Sequence, residues 1–257
     1  MGAVTRDKHD GVGILTLNES ESLNAMTPDL LGALAEAVGE MTADPAVRAL
    51  VLTGAGRGFC SGQNLKASEA LGKDIVAGVM KFYWPTFKAL RECRVPIVVA
   101  VNGVAAGGGF SLAMAGDMVV AARSATFIQV FSRIGLVPDL GSTWLLPRLI
   151  GRQRALELML FNEPLSAERA KEWGLVREVV GDADLMPEAI KLAQRLAQGP
   201  TRALVATRML LEESEHATYA DQFRREIEIQ SDIRQSADAL EGRAAFVEKR
   251  KASFSGR

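Results

Sequence analysis

Two glycine-rich segments carry the first sign of chemistry. GAGRGFCSGQNL (54–65) and NGVAAGGGFSLAMAGD (102–117) each follow a short run of β-forming residues. Glycines at 54, 56, 58 and 62 let the first segment turn sharply and approach a ligand closely. In the second, the run Gly107 to Gly109 enters an apolar stretch of helical character, so exposed backbone N–H groups and the positive end of a helix coincide there. Each segment also has an ordinary reading: a strand-to-helix loop for the first, close helix packing for the second. Taken together, two such turns at strand ends face a common cleft, with N–H donors that converge on one oxygen.

Other chemistries lack their residues. His9 and His216 are the two histidines, and neither stands near a Ser or Cys nucleophile pattern. There is no Gly-x-Ser-x-Gly elbow, no Gly-Lys-Ser/Thr phosphate loop and no His-Glu-x-x-His helix. Gly103-x-x-x-Gly107 has the wrong spacing for a dinucleotide fingerprint. Cys60 and Cys93 make no metal or redox spacing, and without a histidine nearby the Cys60 thiol reads as a small packed residue. Two free thiols suit a reducing compartment, so the expected location is cytoplasmic.

The elements that must position these turns alternate. Gly13 to Leu17, Ala49 to Thr53 and Ile97 to Val101 read as strands, and Met118 to Ala122 and Ala125 to Phe127 as shorter ones. Between them, Pro28 to Met41 reads as a helix with Thr27 as N-cap, and about 75–93 as another. That alternation predicts a largely parallel sheet in an α/β fold. Beyond about residue 140 come helices at 152–160, 166–173, 183–198, 200–214, 217–234 and 236–250, so the C-terminal third reads as all-helical. The 257 residues, 48% apolar, suffice for one large domain with a helical appendage, divided here as a core over 1–200 and a helical region over 201–257. A net charge of −1 provides no field for nucleic acid. Arg6, Asp7, Lys8 and Asp10 stand where a signal peptide needs an apolar core, Arg6 disfavours myristoylation, and no window is long enough for a membrane span.

GILTLN and LNAM (13–26), GRGFCSGQN, AVNGVAAGGGFSLAMAGD, GLVPDLGSTWLLPRLIG and the terminal AFVEKRKASF together resemble the enoyl-CoA hydratase/isomerase, or crotonase, superfamily over most of the chain. The resemblance implies a ClpP-like fold: a spiral of repeated β-β-α turns with a C-terminal helical trimerisation region, assembled as a trimer or a dimer of trimers. It implies an acyl-CoA substrate and an oxyanion hole made by the N–H groups of Gln63 and Gly108. Asn24, Ala25, Ser61 and Leu65, together with Gln63, would line the coenzyme A channel, with Phe246 and Lys249 touching coenzyme A from the last helix. The coenzyme arrives as part of the substrate, and no metal, other cofactor, nucleic acid or membrane is implied. Arg243, Lys249, Arg250, Lys251 and Arg257 give that last helix a cationic end that suits phosphates, or equally a solvated helix terminus.

A thioester α-proton is weakly acidic, so its removal needs a positioned base as well as donors for the developing enolate. Hydratases of the family use two glutamates, whose positions match Ser111 and Phe131 here. The carboxylate in the right stretch is Asp139, which local sequence alone allows equally to be the N-cap of a following helix. By resemblance its position carries the catalytic aspartate of isomerase branches, and IGLVPDLGSTWLLPR resembles the branch that rearranges the ring epoxide of phenylacetyl-CoA. The expected activity is therefore acyl-CoA isomerisation, with hydration or thioester hydrolysis as alternatives and a non-catalytic coenzyme A- or RNA-binding role as the reading of another class. Phe82, Tyr83, Trp84, Phe110 and Phe131 are candidates for an apolar acyl pocket, or for core.

Overall fold

The computed structural model describes residues 2–64 and 70–257, and its first elements are an antiparallel hairpin of β1 (Val4–His9) and β2 (Val12–Leu17). Helix α1 (Pro28–Ala43) follows, its first turn closed by Thr27, whose hydroxyl accepts from Leu30 N–H at 3.1 Å. A repeating unit then begins. β3 (Ala49–Gly54), buried along its whole length, turns a corner into the three-residue β4 (Gly58–Cys60) and, later in the chain, helices α2 (Ile75–Phe82) and α3 (Trp84–Arg91). β5 (Ile97–Val101) turns likewise into β6 (Val104–Ala106) and α4 (Gly108–Ala113), and β7 (Met118–Ala122) into β8 (Thr126–Ile128).

Each turn thus gives one strand to each of two sheets. The larger has the order β1-β2-β3-β5-β7-β10, with β10 at Glu178–Val180, parallel from β2 onwards, and the smaller the order β4-β6-β8-β9, with β9 at Leu165–Ser166. β-β-α turns wound in this way make the spiral core of the crotonase fold. Because Thr53 pairs with Ala100 and Val101 with Ala121, the corners after β3 and β5 lie at the same end of the large sheet. Asn102 ties them: its Oδ1 accepts from Gly54 N–H at 3.2 Å and its Nδ2 donates to Gly56 carbonyl at 3.0 Å.

The remaining helices are α5 (Ser142–Ile150), α6 (Arg152–Phe161), α7 (Ala167–Glu172), α8 (Leu185–Ala197), α9 (Thr201–Ser214), α10 (Tyr219–Ile233) and α11 (Ala237–Glu248). Two expectations need correction. The C-terminal third is not purely helical, because β10 (Glu178–Val180) closes the edge of the large sheet against β7, and β9 (Leu165–Ser166) pairs with β8. A strand of three residues, all half-buried, leaves no period-2 signal to read. The helix expected over 75–93 is divided at Tyr83, where Trp84 and Pro85 start a new helical segment.

α9 is latched to the core by Arg208, which donates to Asp117 at 3.0 Å and to Cys93 carbonyl, and by Arg91 paired to Glu212 at 3.1 Å. Among the described residues no helix is long and apolar enough to cross a membrane.

Candidate active site

The two glycine corners pack directly on one another. A Cβ added to Gly109 would meet Cys60 carbonyl oxygen at 2.0 Å, so at this point the α4 backbone approaches β4 as only glycine permits. Gly62 has φ +91°, and a Cβ there would lie 2.7 Å from Ala106 carbonyl oxygen and 3.3 Å from Gly108 nitrogen. Residues 62–63 and 108 are therefore neighbours.

The orientation of the donors follows from what their flanking groups do. Met26 N–H donates to Gly62 carbonyl at 2.7 Å, and Asn64 N–H to Met26 carbonyl at 2.9 Å, a parallel bridge that leaves the Gln63 N–H off the ladder. On the other turn Gly107 N–H is taken by Ile128 carbonyl at 2.9 Å, and Gly108 opens α4, where an N–H has no intrahelical acceptor. Among the described residues neither Gln63 N–H nor Gly108 N–H has a protein acceptor. Two adjacent unspent N–H groups are what an oxyanion requires.

Asn24 supports this arrangement from behind. Fully buried and in the left-handed region at φ 56°, it donates from Nδ2 to the carbonyls of Ala55, Gly58 and Phe59 at 2.9–3.1 Å, and its Oδ1 accepts from Glu19 N–H at 2.9 Å. Its side chain is thus committed to the first glycine corner. Ala25 is buried beside it, and Ser61, half-buried, donates to Ser22 carbonyl at 3.0 Å. Leu65, assigned to the coenzyme A channel, lies outside the described residues.

Asp139 sits on the loop facing α4. Its main-chain carbonyl accepts from Ser111 Oγ at 3.2 Å and from Ser142 N–H at 2.9 Å, and a Cβ on Gly108 would touch Leu140 Cδ1 at 2.9 Å. The helix-cap alternative fails, because α5 begins at Ser142 with Gly141 as its N-cap and no side-chain cap. Leu140 is held at φ 50°, a costly conformation for a bulky residue, immediately after the carboxylate. Asp139 still reaches solvent, yet the surrounding protein removes enough water to push its carboxyl above the ordinary value. Ser111 and Phe131 are both buried.

Beside this loop opens a cavity of about 560 Å³, lined by Val79, Trp84, Phe87, Leu140, Trp144 and His216 among others. Of the aromatic candidates, Trp84 lines it, whereas Phe110 packs on Phe127 in the core with ring centroids 5.2 Å apart. Trp144 is a wall that the sequence reading missed. Arg91 and Arg148 flank its ring at 5.0 and 4.2 Å, and its i,i+4 spacing to Arg148 was the available signal.

Cys60 is sealed in, its thiol pushed up to about 12 by burial, so it is no nucleophile at neutral pH. Phe246 is 85% exposed near the end of α11, and Lys249, also exposed, is its C-cap. The tail beyond them is held at the far end of β3, where Arg48 donates to Phe254 carbonyl at 2.6 Å. Among the described residues no contact joins Phe246 or Lys249 to Gln63, Gly108 or Asp139.

The spiral and its paired glycine corners define a crotonase-fold enzyme. Residues 7–257 match the Enoyl-CoA hydratase/isomerase family model, and the chain belongs to that family. It is 43% identical over 251 residues to the 1,2-epoxyphenylacetyl-CoA isomerase of Escherichia coli (strain K12), with 96% of each chain covered. It is also 42% identical over 252 residues to a Rhodobacter capsulatus protein called a probable enoyl-CoA hydratase, with the same coverage. The crystal structure of an enoyl-CoA hydratase from Polaromonas sp. JS666 superposes with a TM-score of 0.92 at 34% identity, covering 98% of this chain and 100% of that one.

Proposed function

We propose that the chain is an acyl-CoA isomerase that moves a double bond, or rearranges a ring epoxide, through an enolate held by the N–H groups of Gln63 and Gly108, with Asp139 as the base. The observation that carries this reading is the carboxylate of Asp139 on the loop that Ser111 ties to the helix opened by Gly108. One carboxylate is enough to take a proton from one carbon and return it to another, and a raised pKa brings it nearer the ideal for proton transfer at neutral pH. Hydration in this family needs two glutamates by the resemblance, and Ser111 and Phe131 stand at those positions. The likeness to the Escherichia coli isomerase supports the choice, while the names of most other relatives, the Rhodobacter capsulatus protein among them, are those of hydratases.

Coenzyme A enters with the substrate, along Ala25, Ser61 and Gln63. Homo-oligomerisation belongs to the same reading: α10 buries none of its 15 residues, and Tyr219, Phe223 and Ile227 form an exposed apolar row at i, i+4, i+8. Phe246 and Lys249, exposed on α11, would then serve coenzyme A bound to a neighbouring copy.

Mass spectrometry of the products from a 3-enoyl-CoA and from crotonyl-CoA tests the activity. Isomerisation gives a 2-enoyl product of unchanged mass, told from unreacted 3-enoyl-CoA by the absorbance of its conjugated thioester. Gain of one water as the dominant reaction, or release of free coenzyme A, would replace this reading with hydration or thioester hydrolysis.

A further inference from the structure

Tyr83 is only 3% exposed, yet its phenolic O–H donates to no protein acceptor among the described residues. Buried tyrosines normally find a partner for that group. Its place in the chain indicates where the partner lies. Tyr83 N–H donates to Val79 carbonyl at 2.9 Å and Phe87 N–H to Tyr83 carbonyl at 3.3 Å, so helical spacing persists across the α2–α3 junction and residues 79, 83 and 87 share one face. Val79 and Phe87, one turn to either side, line the cavity whose other wall is Leu140 and Gly141, directly after Asp139.

The phenol's electrostatic surroundings agree. Its pKa is pushed up to about 12 by burial first, then by the charge of Asp139, with Cys60 third. Asp139 belongs to the base loop, and Cys60 immediately precedes Ser61, Gly62 and Gln63. The phenol is near both without a hydrogen bond to either, and it stays protonated at neutral pH, so it can donate but not act as a base. The thioester oxygen already has the two backbone donors of the proposed oxyanion hole. On the helix face between Val79 and Phe87, and beside the Arg91, His216, Trp84 and Trp144 donors that line the cavity, the Tyr83 O–H is left for an oxygen further along the occupant.

We propose that Tyr83 donates a hydrogen bond to an oxygen carried by the acyl group beyond its thioester, making it the residue that selects oxygen-bearing acyl groups, such as those with a ring oxygen, over plain hydrocarbon ones. This rests on the acyl-CoA reading above. A site built to bond an oxygen discriminates against the analogue that lacks it, because its own polar group is then left unpaired.

The test compares two inhibitors, phenylacetyl-CoA and 2-hydroxyphenylacetyl-CoA, on the unsubstituted enzyme and on Tyr83→Phe, which keeps the ring and its packing. The unsubstituted enzyme is expected to bind the hydroxylated compound about tenfold more tightly, and Tyr83→Phe to abolish that preference. No preference in the unsubstituted enzyme, a preference that survives in Tyr83→Phe, or an equal loss of affinity for both compounds overturns the proposal. The ratio is read without turnover, so failure of the isomerase reading appears separately, as no conversion of 3-enoyl-CoA by the unsubstituted enzyme.

Discussion

Ser111 Oγ donates to the main-chain carbonyl of Asp139 at 3.2 Å. This bond joins the helix opened by Gly108 to the loop bearing the Asp139 carboxylate, so candidate donor and candidate base are held by one strut. Ser111 is fully buried, and in Ser111→Ala the Asp139 carbonyl keeps only Ser142 N–H. The variant is expected to lose about 1 kcal/mol of stability and several-fold in kcat as the loop loosens. Denaturant midpoints and kinetics check this, and an unchanged kcat would show that the strut does not position the base.

Asp139 also predicts a pH signature. Its carboxyl is raised, so the folded protein holds that proton more tightly than the unfolded chain does. Between the ordinary carboxyl value of about 3.9 and the raised one, the folded state binds more protons, and stability falls as pH rises through that window. Asp139→Asn removes this burden and should unfold at a higher temperature than the unsubstituted enzyme at neutral pH, with the gain gone below about pH 4. In the unsubstituted enzyme the acidic limb of the rate profile should lie above the ordinary carboxyl value, since only the ionised base is active.

The contact between the corners leaves no room for a methyl group. Gly109→Ala drives a Cβ to within 2.0 Å of a backbone oxygen, and is expected to cost the upper part of ~1–3 kcal/mol and to pull Gly108 out of line. Gly62→Ala adds a left-handed φ to a 2.7 Å clash, and should remove most activity even where the protein still folds. Circular dichroism and turnover on the same samples distinguish the two effects.

Neither thiol should behave as a nucleophile. Cys60 and Cys93 are both buried and free, and both are raised chiefly by burial, Cys60 to about 12. Ellman's reagent at pH 8 should label neither until the protein unfolds. Rapid labelling of Cys60 with loss of activity would reopen thiol chemistry.

The parts of this fold legible in the sequence are those with local causes. Thr27 and Pro28 mark the start of α1 because cap and first turn are adjacent, and β3 and β5 are legible because buried parallel strands are continuously apolar. Of the second sheet only β8 was legible, as the strand read at Ala125 to Phe127. β4 and β6 have three residues each, and their pairing of Gly58 with Val104 spans a long loop closure that no window contains. α5 was hidden by Pro147 within it, which reads as a breaker. At the site, the glycine corners announced themselves by composition. Asn24 showed no sign of its three carbonyl partners, which lie 31 to 35 residues away. The relation of Tyr83 to Asp139 likewise exists only once α3 and the 135–141 loop face each other.

The most direct test of the account is turnover of a 3-enoyl-CoA to its 2-enoyl isomer by the unsubstituted enzyme and by Asp139→Asn, with folding verified by thermal unfolding. The account predicts that the unsubstituted enzyme isomerises and that the folded variant loses about 10²–10⁴-fold in kcat. A folded Asp139→Asn that isomerises at the unsubstituted rate would contradict it.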